Sequence, residues 1–233
     1  MRKTDEKKHS KLLLFDQGFL SQGFTSLTGV DEAGRGPWAG PVVASAVIVR
    51  DFSFENIIDD SKKMTSRSRD RAYEEILTKC SVGIGMVDSD TIDEINILEA
   101  TLCAMQEALK SLGQTPDCVL VDGNRTPKTS YRVTPVIDGD AKSFSIACAS
   151  IVAKVSRDRM MAYFDEVYPE YGFSRHKGYG TPEHAAALKK HGPCRIHRKS
   201  FEPIKKVMNI SAGSSGLGAR SKISPTSDLQ PPS

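Results

Sequence analysis

Hydrophobic residues along the chain fall into two patterns, short β-branched runs and longer stretches with helical spacing. The run Val42–Val49 is almost continuously apolar, which is typical of a strand covered on both faces. Shorter runs predict further strands at 27–31, 82–87, 118–122 and 131–137. Apolar positions at helical intervals predict helices at about 66–80, 89–113 and 142–167. Pro182, at a first helical position, predicts one more helix that ends at Gly192.

The order of these elements predicts the architecture. Strands and helices alternate from residue 27 to residue 167, with a hairpin first and crossover helices afterwards. This alternation is typical of a three-layer α/β domain in which a mixed central sheet is flanked by helices. We expect the domain over residues 27–206, with a helical and basic segment at its C-terminal end. An N-terminal arm (1–26), helical from about residue 12 to 20, would precede it, and a disordered tail (207–233) would follow.

Composition favours a non-secreted globular protein. Of the 233 residues 39% are hydrophobic, and no run approaches the roughly 18 apolar residues that a membrane span needs. The five cysteines are scattered singly, without a CxxC pair or a zinc spacing, which favours reduced thiols over a disulfide framework. The N-terminus is basic and polar, unlike a signal peptide. We therefore expect a cytoplasmic protein without a membrane partner.

Positive charge is concentrated near the C-terminus, although the net charge is only +3. A dense basic cluster comprises Lys189, Lys190, Arg195, His197, Arg198, Lys199, Lys205 and Lys206. Such a cluster favours a surface that follows nucleic-acid phosphates, with binding that weakens steeply as salt rises. The arginines at 67, 69 and 71 are interpreted as a solvated helix face, and Lys154 with Asp158 as an i, i+4 ion pair. The histidines at 184, 191 and 197 lack metal-ligand spacing, and we expect them at the surface.

The most informative stretch of the sequence is Gly29–Pro37, which contains two adjacent acids and a tight glycine loop. Asp31 and Glu32 follow an apolar strand, where two carboxylates repel each other and are costly to bury. Divalent metals, in contrast, require hard oxygen ligands of this kind. Gly34 and Gly36 lack a Cβ, so the backbone that follows can approach a ligand closely.

Two further acids, Asp122 and Asp140, also stand where an apolar strand ends or a helix begins. Because strand ends of an α/β sheet gather at one edge, we expect all four carboxylates to meet there. A ligand set of oxygen atoms alone favours magnesium or manganese, and a pair of such ions can activate water and clamp a phosphodiester. For Asp140 a simple helix cap is an equally good interpretation.

Six motifs in a fixed order resemble those of one family, type II ribonuclease H (ribonuclease HII), over residues 28–201. They are Asp31–Gly36, Asp60–Lys63, Val121–Asn124, Gly139–Asp140 followed by Ser145–Val155, His176–Thr181 and His197–Phe201. The resemblance implies an RNase H-like fold and an endonuclease that hydrolyses the RNA strand of RNA–DNA hybrids. It also implies cleavage at single ribonucleotides embedded in duplex DNA, leaving a 3′-hydroxyl and a 5′-phosphate.

The resemblance also assigns roles to individual residues. Asp31, Glu32, Asp122 and Asp140 would bind the manganese or magnesium. Lys62 and Lys63, in the motif at 60–63, are interpreted from their loop position as contacts to substrate phosphate, with a solvated surface as the alternative. The backbone of Gly34-Arg35-Gly36 would recognise the 2′-hydroxyl, with Tyr179 at the ribonucleotide and its junction with DNA. This agrees with the chemistry, because the 2′-hydroxyl is what distinguishes a ribonucleotide from a deoxyribonucleotide at one position.

Three other functions are weighed against this one. Type III ribonuclease H is similar but carries lysine where this chain has Arg35, and it has an N-terminal domain for which the residues before Leu27 leave no room. A non-catalytic hybrid-binding module of the same fold would not need all four acids. A metal-dependent phosphatase would not need the basic cluster. We expect a monomer that acts on hybrids and ribonucleotide-containing duplexes.

Overall fold

The computed structural model describes the backbone of residues 3–214 and the side chains of residues 9–209. Within this range the strands are β1 (Leu27–Ala33), β2 (Val42–Val49), β3 (Cys80–Val87), β4 (Cys118–Asp122) and β5 (Val133–Val136). The helices are α1 (Lys3–Leu20), α2 (Ser66–Lys79), α3 (Ser89–Ser111), α4 (Phe144–Val167), α5 (Phe173–His176), α6 (Pro182–His191) and α7 (Glu202–Ser214). A short 3₁₀ turn at Gly139–Ala141 precedes α4.

The five strands form one mixed sheet, as the alternation of elements predicts, and the structure gives their order as β3-β2-β1-β4-β5. β1 is antiparallel to β2 and parallel to β4, and β5 is parallel to β4. In this register Val30 lies opposite Val121. The residue after each, Asp31 and Asp122, therefore emerges at the same edge of the sheet.

Helices cover both faces of the sheet, which gives the predicted three layers. α3 packs on one face with Val30, Val119 and the even-numbered residues of β2, whereas α4, α1 and α2 pack on the other. Strand glycines let the helices lie directly on the backbone. A Cβ at Gly29 would lie 2.1 Å from the carbonyl carbon of Ser145 in α4, and one at Gly85 would lie 2.1 Å from the carbonyl oxygen of Ala104 in α3.

Both ends of the chain are more helical than the sequence predicts. Helix α1 begins at Lys3 rather than near residue 12. It is tied to the domain by Asp16, whose carboxylate accepts hydrogen bonds from the Ser143 hydroxyl and the Ser145 N–H at the start of α4. At the other end α7 continues to Ser214, past the predicted boundary at 206. The rest of the predicted tail, residues 215–233, lies outside the described residues.

Helix α3 is interrupted, whereas the sequence predicts one continuous helix. Asn96 has a positive φ of 69° and divides it into two segments. Its side-chain oxygen accepts hydrogen bonds from the N–H groups of Leu98 and Glu99, so Asn96 caps the second segment. Hydrophobic spacing on both sides of Asn96 conceals this break, because apolar residues occupy compatible positions in each segment.

Two findings bear on the expected compartment. Among the described residues, no helix is both long enough and apolar enough to cross a membrane. All five cysteines, namely Cys80, Cys103, Cys118, Cys148 and Cys194, have free thiols.

Candidate active site

The four predicted acids come to one edge of the sheet. Asp31 ends the buried part of β1 and is only 5% exposed, and Glu32 follows it. Asp122 ends the neighbouring strand β4. Asp140 lies in the 3₁₀ turn, whose Gly139 N–H donates a hydrogen bond of 2.6 Å to Asp122 Oδ1. Asp31, Glu32 and Asp122 line a cleft of about 460 Å³.

Negative charge at this edge is poorly compensated. Burial, followed by the charges of Glu32 and Asp122, raises the pKa of Asp31 well above its ordinary value, against hydrogen bonds from Ser150 and the Glu32 N–H. Burial also raises the pKa of Glu32, although Arg35 opposes this, and it raises the pKa of Asp122, to which Asp140 adds. Such shifts are typical of carboxylates gathered without a cation between them.

Two exposed basic side chains partly neutralise the acids. Arg35 Nη1 lies 3.2 Å from Glu32 Oε1, and Lys62 Nζ lies 3.2 Å from Asp140 Oδ2. Among the described residues, no three His, Cys, Asp or Glu side chains are arranged to hold a metal ion. The Arg35 and Lys62 side chains are 52% and 78% exposed.

The second lysine of the predicted pair has a different neighbour. Lys63 Nζ lies 2.8 Å from Asp60 Oδ2, and Lys63 is absent from the cleft lining, whereas Lys62 belongs to it. Among the described residues, the structure therefore brings Lys62 to the acids and Lys63 to Asp60.

Helix α4 and the loop before α2 supply residues around the acids that sequence reasoning missed. Ser150 hydrogen-bonds Asp31, and its hydroxyl lies 2.9 Å from that of Ser61. Both serines fall inside the motifs at 145–155 and 60–63, which was the available signal. Arg69 also lines the cleft and donates to the carbonyls of Ser61 and Met64, so its interpretation as a solvated residue is wrong.

Lys154 is a further cleft residue on α4. Its ion pair with Asp158, predicted from the i, i+4 spacing, is confirmed at 2.7 Å. Lys154 therefore both pairs with Asp158 and lines the cleft that contains the acids.

The glycine loop and Tyr179 lie on the rim of the same cleft. Gly34 has a φ of +98°, and a Cβ there would lie 2.1 Å from Arg157 Nε, so this position requires glycine. The Tyr179 ring is 45% exposed, and its Cε1 would lie 3.7 Å from a Cβ at Gly36. The loop and the tyrosine are therefore neighbours, as the resemblance implies.

A buried histidine pair supports the segment that carries Tyr179. His184 Nδ1 lies 2.9 Å from the Tyr179 carbonyl oxygen, and His184 Nε2 lies 3.0 Å from His197 Nε2. The Cys194 N–H donates to His197 Nδ1, so His197 donates through Nε2 and His184 donates through Nδ1 to Tyr179. Burial lowers the pKa of each histidine to about 4, which keeps both neutral. The predicted surface location of these two histidines is wrong, because both are fully buried.

The basic cluster of residues 189–206 divides into exposed and buried members. The exposed ones are Lys189, Lys190, Arg195, Lys199, Lys205 and Lys206. Arg198 is instead completely buried, like His197, and donates hydrogen bonds to the glycine loop. The predicted phosphate-binding surface therefore lacks these two side chains.

Comparison with known proteins identifies the family. The family model described as Ribonuclease HII matches residues 28–204. Ribonuclease HII of Ruminiclostridium cellulolyticum is 51% identical over 82% of this chain and 75% of its own length. Ribonuclease HII of Geotalea daltonii is 52% identical over 87% of this chain and 94% of its own length. The crystal structure of ribonuclease H2 from Pyrococcus horikoshii OT3 covers 80% of this chain and 98% of its own, with a TM-score of 0.68 and 27% identity.

Type III ribonuclease H shares the fold with less sequence similarity. Bst-RNase HIII, solved in complex with Mn²⁺, covers 80% of this chain and 70% of its own with a TM-score of 0.59, but at 17% identity. These matches favour the catalytic type II family over the type III, binding-module and phosphatase alternatives. The chain belongs to the ribonuclease HII family and is an endoribonuclease that acts on RNA–DNA hybrids.

Proposed function

We propose that Asp31, Glu32, Asp122 and Asp140 form the catalytic centre of this endonuclease and hold manganese or magnesium. The observation that carries the proposal is the convergence of four carboxylates from β1, β4 and the 3₁₀ turn with excess negative charge. The donor set fits a hard divalent cation, because it consists of oxygen atoms alone. A cation of this kind bound on the same fold is found in the Mn²⁺ complex of Bst-RNase HIII.

Arg35 and Lys62, which pair with Glu32 and Asp140, can be displaced by a bound cation. Arg35 and Lys62 are mostly exposed, so solvation compensates their release from Glu32 and Asp140. When bound, a divalent metal lowers the pKa of the attacking water and stabilises charge on the scissile phosphate. The chain itself orients the acids through Ser150 and the Gly139 N–H, and cleavage leaves a 3′-hydroxyl and a 5′-phosphate.

Selection of the ribonucleotide belongs to the rim of the cleft. The backbone of Gly34, Arg35 and Gly36 recognises the 2′-hydroxyl, and Tyr179 lies against the sugar at the junction with DNA. The proximity of the Tyr179 ring to Gly36 supports this assignment. Lys62 contacts a phosphate beside Asp140, and Lys63 does so after leaving Asp60.

The proposal includes a monomer in the cytoplasm that binds hybrid and ribonucleotide-containing duplexes. One chain supplies all four acids, the glycine loop and Tyr179, which supports action as a monomer. The free thiols of the five cysteines support a reducing compartment.

The test uses matched duplexes that contain no, one or many ribonucleotides, each digested with magnesium or manganese. Asp31→Asn should abolish cleavage with either metal, because the amide is a poor ligand for the cation. Binding of the duplex should change little. Asp117→Asn is the matched control, since the Asp117 carboxylate bonds only Thr25 and Ser26 among the described residues and lies before β4, at the opposite end of the strand from Asp122. Cleavage by Asp31→Asn at the wild-type rate would remove Asp31 from the centre.

A further inference from the structure

Two arginines are buried beneath the glycine loop without an acidic partner. Arg198 is 0% exposed and Arg157 is 1% exposed. Among the described residues, neither forms an ion pair with a carboxylate. Burying a charge without an ion-pair partner is costly, so the hydrogen bonds of the two guanidinium groups must compensate for the missing carboxylates.

Among the described residues, every hydrogen bond of the Arg198 guanidinium is to a main-chain carbonyl between Gly34 and Gly40, a segment that begins with the glycine loop. Nη2 donates to Gly34 at 2.5 Å, Nη1 donates to Arg35 at 2.9 Å, and Nε and Nη2 both donate to Gly40 at 3.0 and 2.8 Å. The planar guanidinium therefore binds Gly34 and Arg35 at one end of the segment and Gly40 at the other.

Arg157 binds the C-terminal end of the same segment between β1 and β2. Its guanidinium donates to the carbonyls of Ala39, Pro41 and Lys177, at 3.1, 2.9 and 3.0 Å. Lys177 precedes the segment with Tyr179, so Arg157 connects the glycine loop to the tyrosine. The two guanidiniums repel each other, and burial with this repulsion lowers the pKa of Arg198 to about 9.

The carbonyl contacts determine where the neighbouring N–H groups point. A trans peptide unit is planar, so its N–H points opposite to its C=O. With the carbonyls of Gly34 and Arg35 turned inward to Arg198, the N–H groups of Arg35 and Gly36 are turned away from it. Gly34, Arg35 and Gly36 line the cleft, whereas Arg198 does not. Among the described residues, these two N–H groups have no hydrogen-bond acceptor.

We propose that Arg198 is a positioning residue for ribonucleotide selection, because it orients the N–H groups of Arg35 and Gly36 toward the 2′-hydroxyl of the substrate. Arg157 supports the same orientation through the far end of the loop. This inference rests on the proposed role of the glycine loop in 2′-hydroxyl recognition. It adds a residue outside the cleft on which that recognition depends.

The test compares Arg198→Lys with the wild-type enzyme on duplexes that carry one ribonucleotide or one 2′-fluoro nucleotide at the same position. Lysine keeps the charge but cannot reach three carbonyls with a planar fork. We expect kcat/KM on the ribonucleotide duplex to fall about 10- to 100-fold, as for the loss of a positioned hydrogen bond at a reacting site. Binding of the all-DNA duplex, measured by fluorescence anisotropy, should change less than about twofold. Discrimination between the two sugars should shrink.

Arg159→Lys is the matched control, because the exposed Arg159 side chain pairs with Glu74, lies outside the basic cluster and the cleft lining, and should leave discrimination unchanged. If Arg198→Lys is unfolded at the assay temperature, Arg157→Lys tests the same loop and should reduce discrimination in the same way. Full discrimination in a folded Arg198→Lys or Arg157→Lys enzyme would overturn the inference alone. Failure of the wild-type enzyme to discriminate the two sugars would instead overturn the proposed role of the loop.

Discussion

Asp31→Asn should stabilise the metal-free protein while it removes activity, because the Asp31 carboxylate is buried among like charges. A carboxyl with a raised folded-state pKa gives its stabilising contribution below its unfolded pKa, near 3.8, and loses it as the pH rises through the folded value. Well above the unfolded pKa, burial and the neighbouring charges of Glu32 and Asp122 therefore oppose folding. An uncompensated buried polar group typically costs about 1–3 kcal/mol, so we expect a gain of about 1.5 kcal/mol in the free energy of unfolding. For a protein of this size that corresponds to a rise in Tm of roughly 3–6 °C.

The assay is thermal unfolding in EDTA at pH 8 and again near pH 4, where the difference should become small. The control has the opposite sign, since the Asp117 carboxylate accepts hydrogen bonds from the Thr25 and Ser26 N–H groups and Asp117→Asn should lower the Tm. Added manganese should raise the wild-type Tm more than that of Asp31→Asn, because only the wild type keeps the full ligand set. A Tm of Asp31→Asn at or below the wild-type value in EDTA would refute the electrostatic reasoning.

Three further outcomes follow from the described contacts. Lys62→Met should lower kcat/KM on a hybrid by about 10-fold or more, since it removes the ammonium beside the fourth acid, and an unchanged rate would contradict this role. Gly85→Ala should cost about 3 kcal/mol or more in chemical denaturation because its Cβ would strike α3, whereas Gly18→Ala in α1, with open space around it, should cost nothing. The pKa values of His184 and His197 are about 4 in the folded protein and near 6.5 in the unfolded chain, so stability should fall by about 2.5 kcal/mol for each histidine, about 5 kcal/mol for the pair, as the pH drops from 6.5 to 4. Replacing both by glutamine should flatten that part of the pH–stability curve.

The sheet and the acids were accessible from the sequence because their signals are local. Five apolar runs predict the five strands, and Asp31 and Asp122 each end such a run. Once β1 and β4 are neighbours, the meeting of these two acids follows from the geometry of parallel strands. The site roles themselves remain predictions until the substitutions are made.

The buried positions of Arg198 and His197 could not be predicted from the sequence, because their hydrogen-bond partners include residues distant along the chain. Arg198 stands among exposed lysines, and nothing in that neighbourhood reveals that its acceptors are carbonyls at 34, 35 and 40. His197 was misinterpreted for the same reason. The break at Asn96 was hidden by apolar residues on either side. For Arg198 and His197, tertiary contacts override the ordinary preference of the residue type.

The position of β1 in the middle of the sheet has a consequence for synthesis of the chain. One edge of β1 pairs with β2, which follows it directly along the chain, whereas the other edge pairs with β4, which is synthesised later, and Asp140 is synthesised later still. A nascent chain that ends before β4 therefore carries Asp31 and Glu32 without Asp122 and Asp140, the other two acids of the proposed centre. If the four acids act together as proposed, nuclease activity is withheld until the turn at Gly139–Ala141 has been translated, and shorter fragments are inactive.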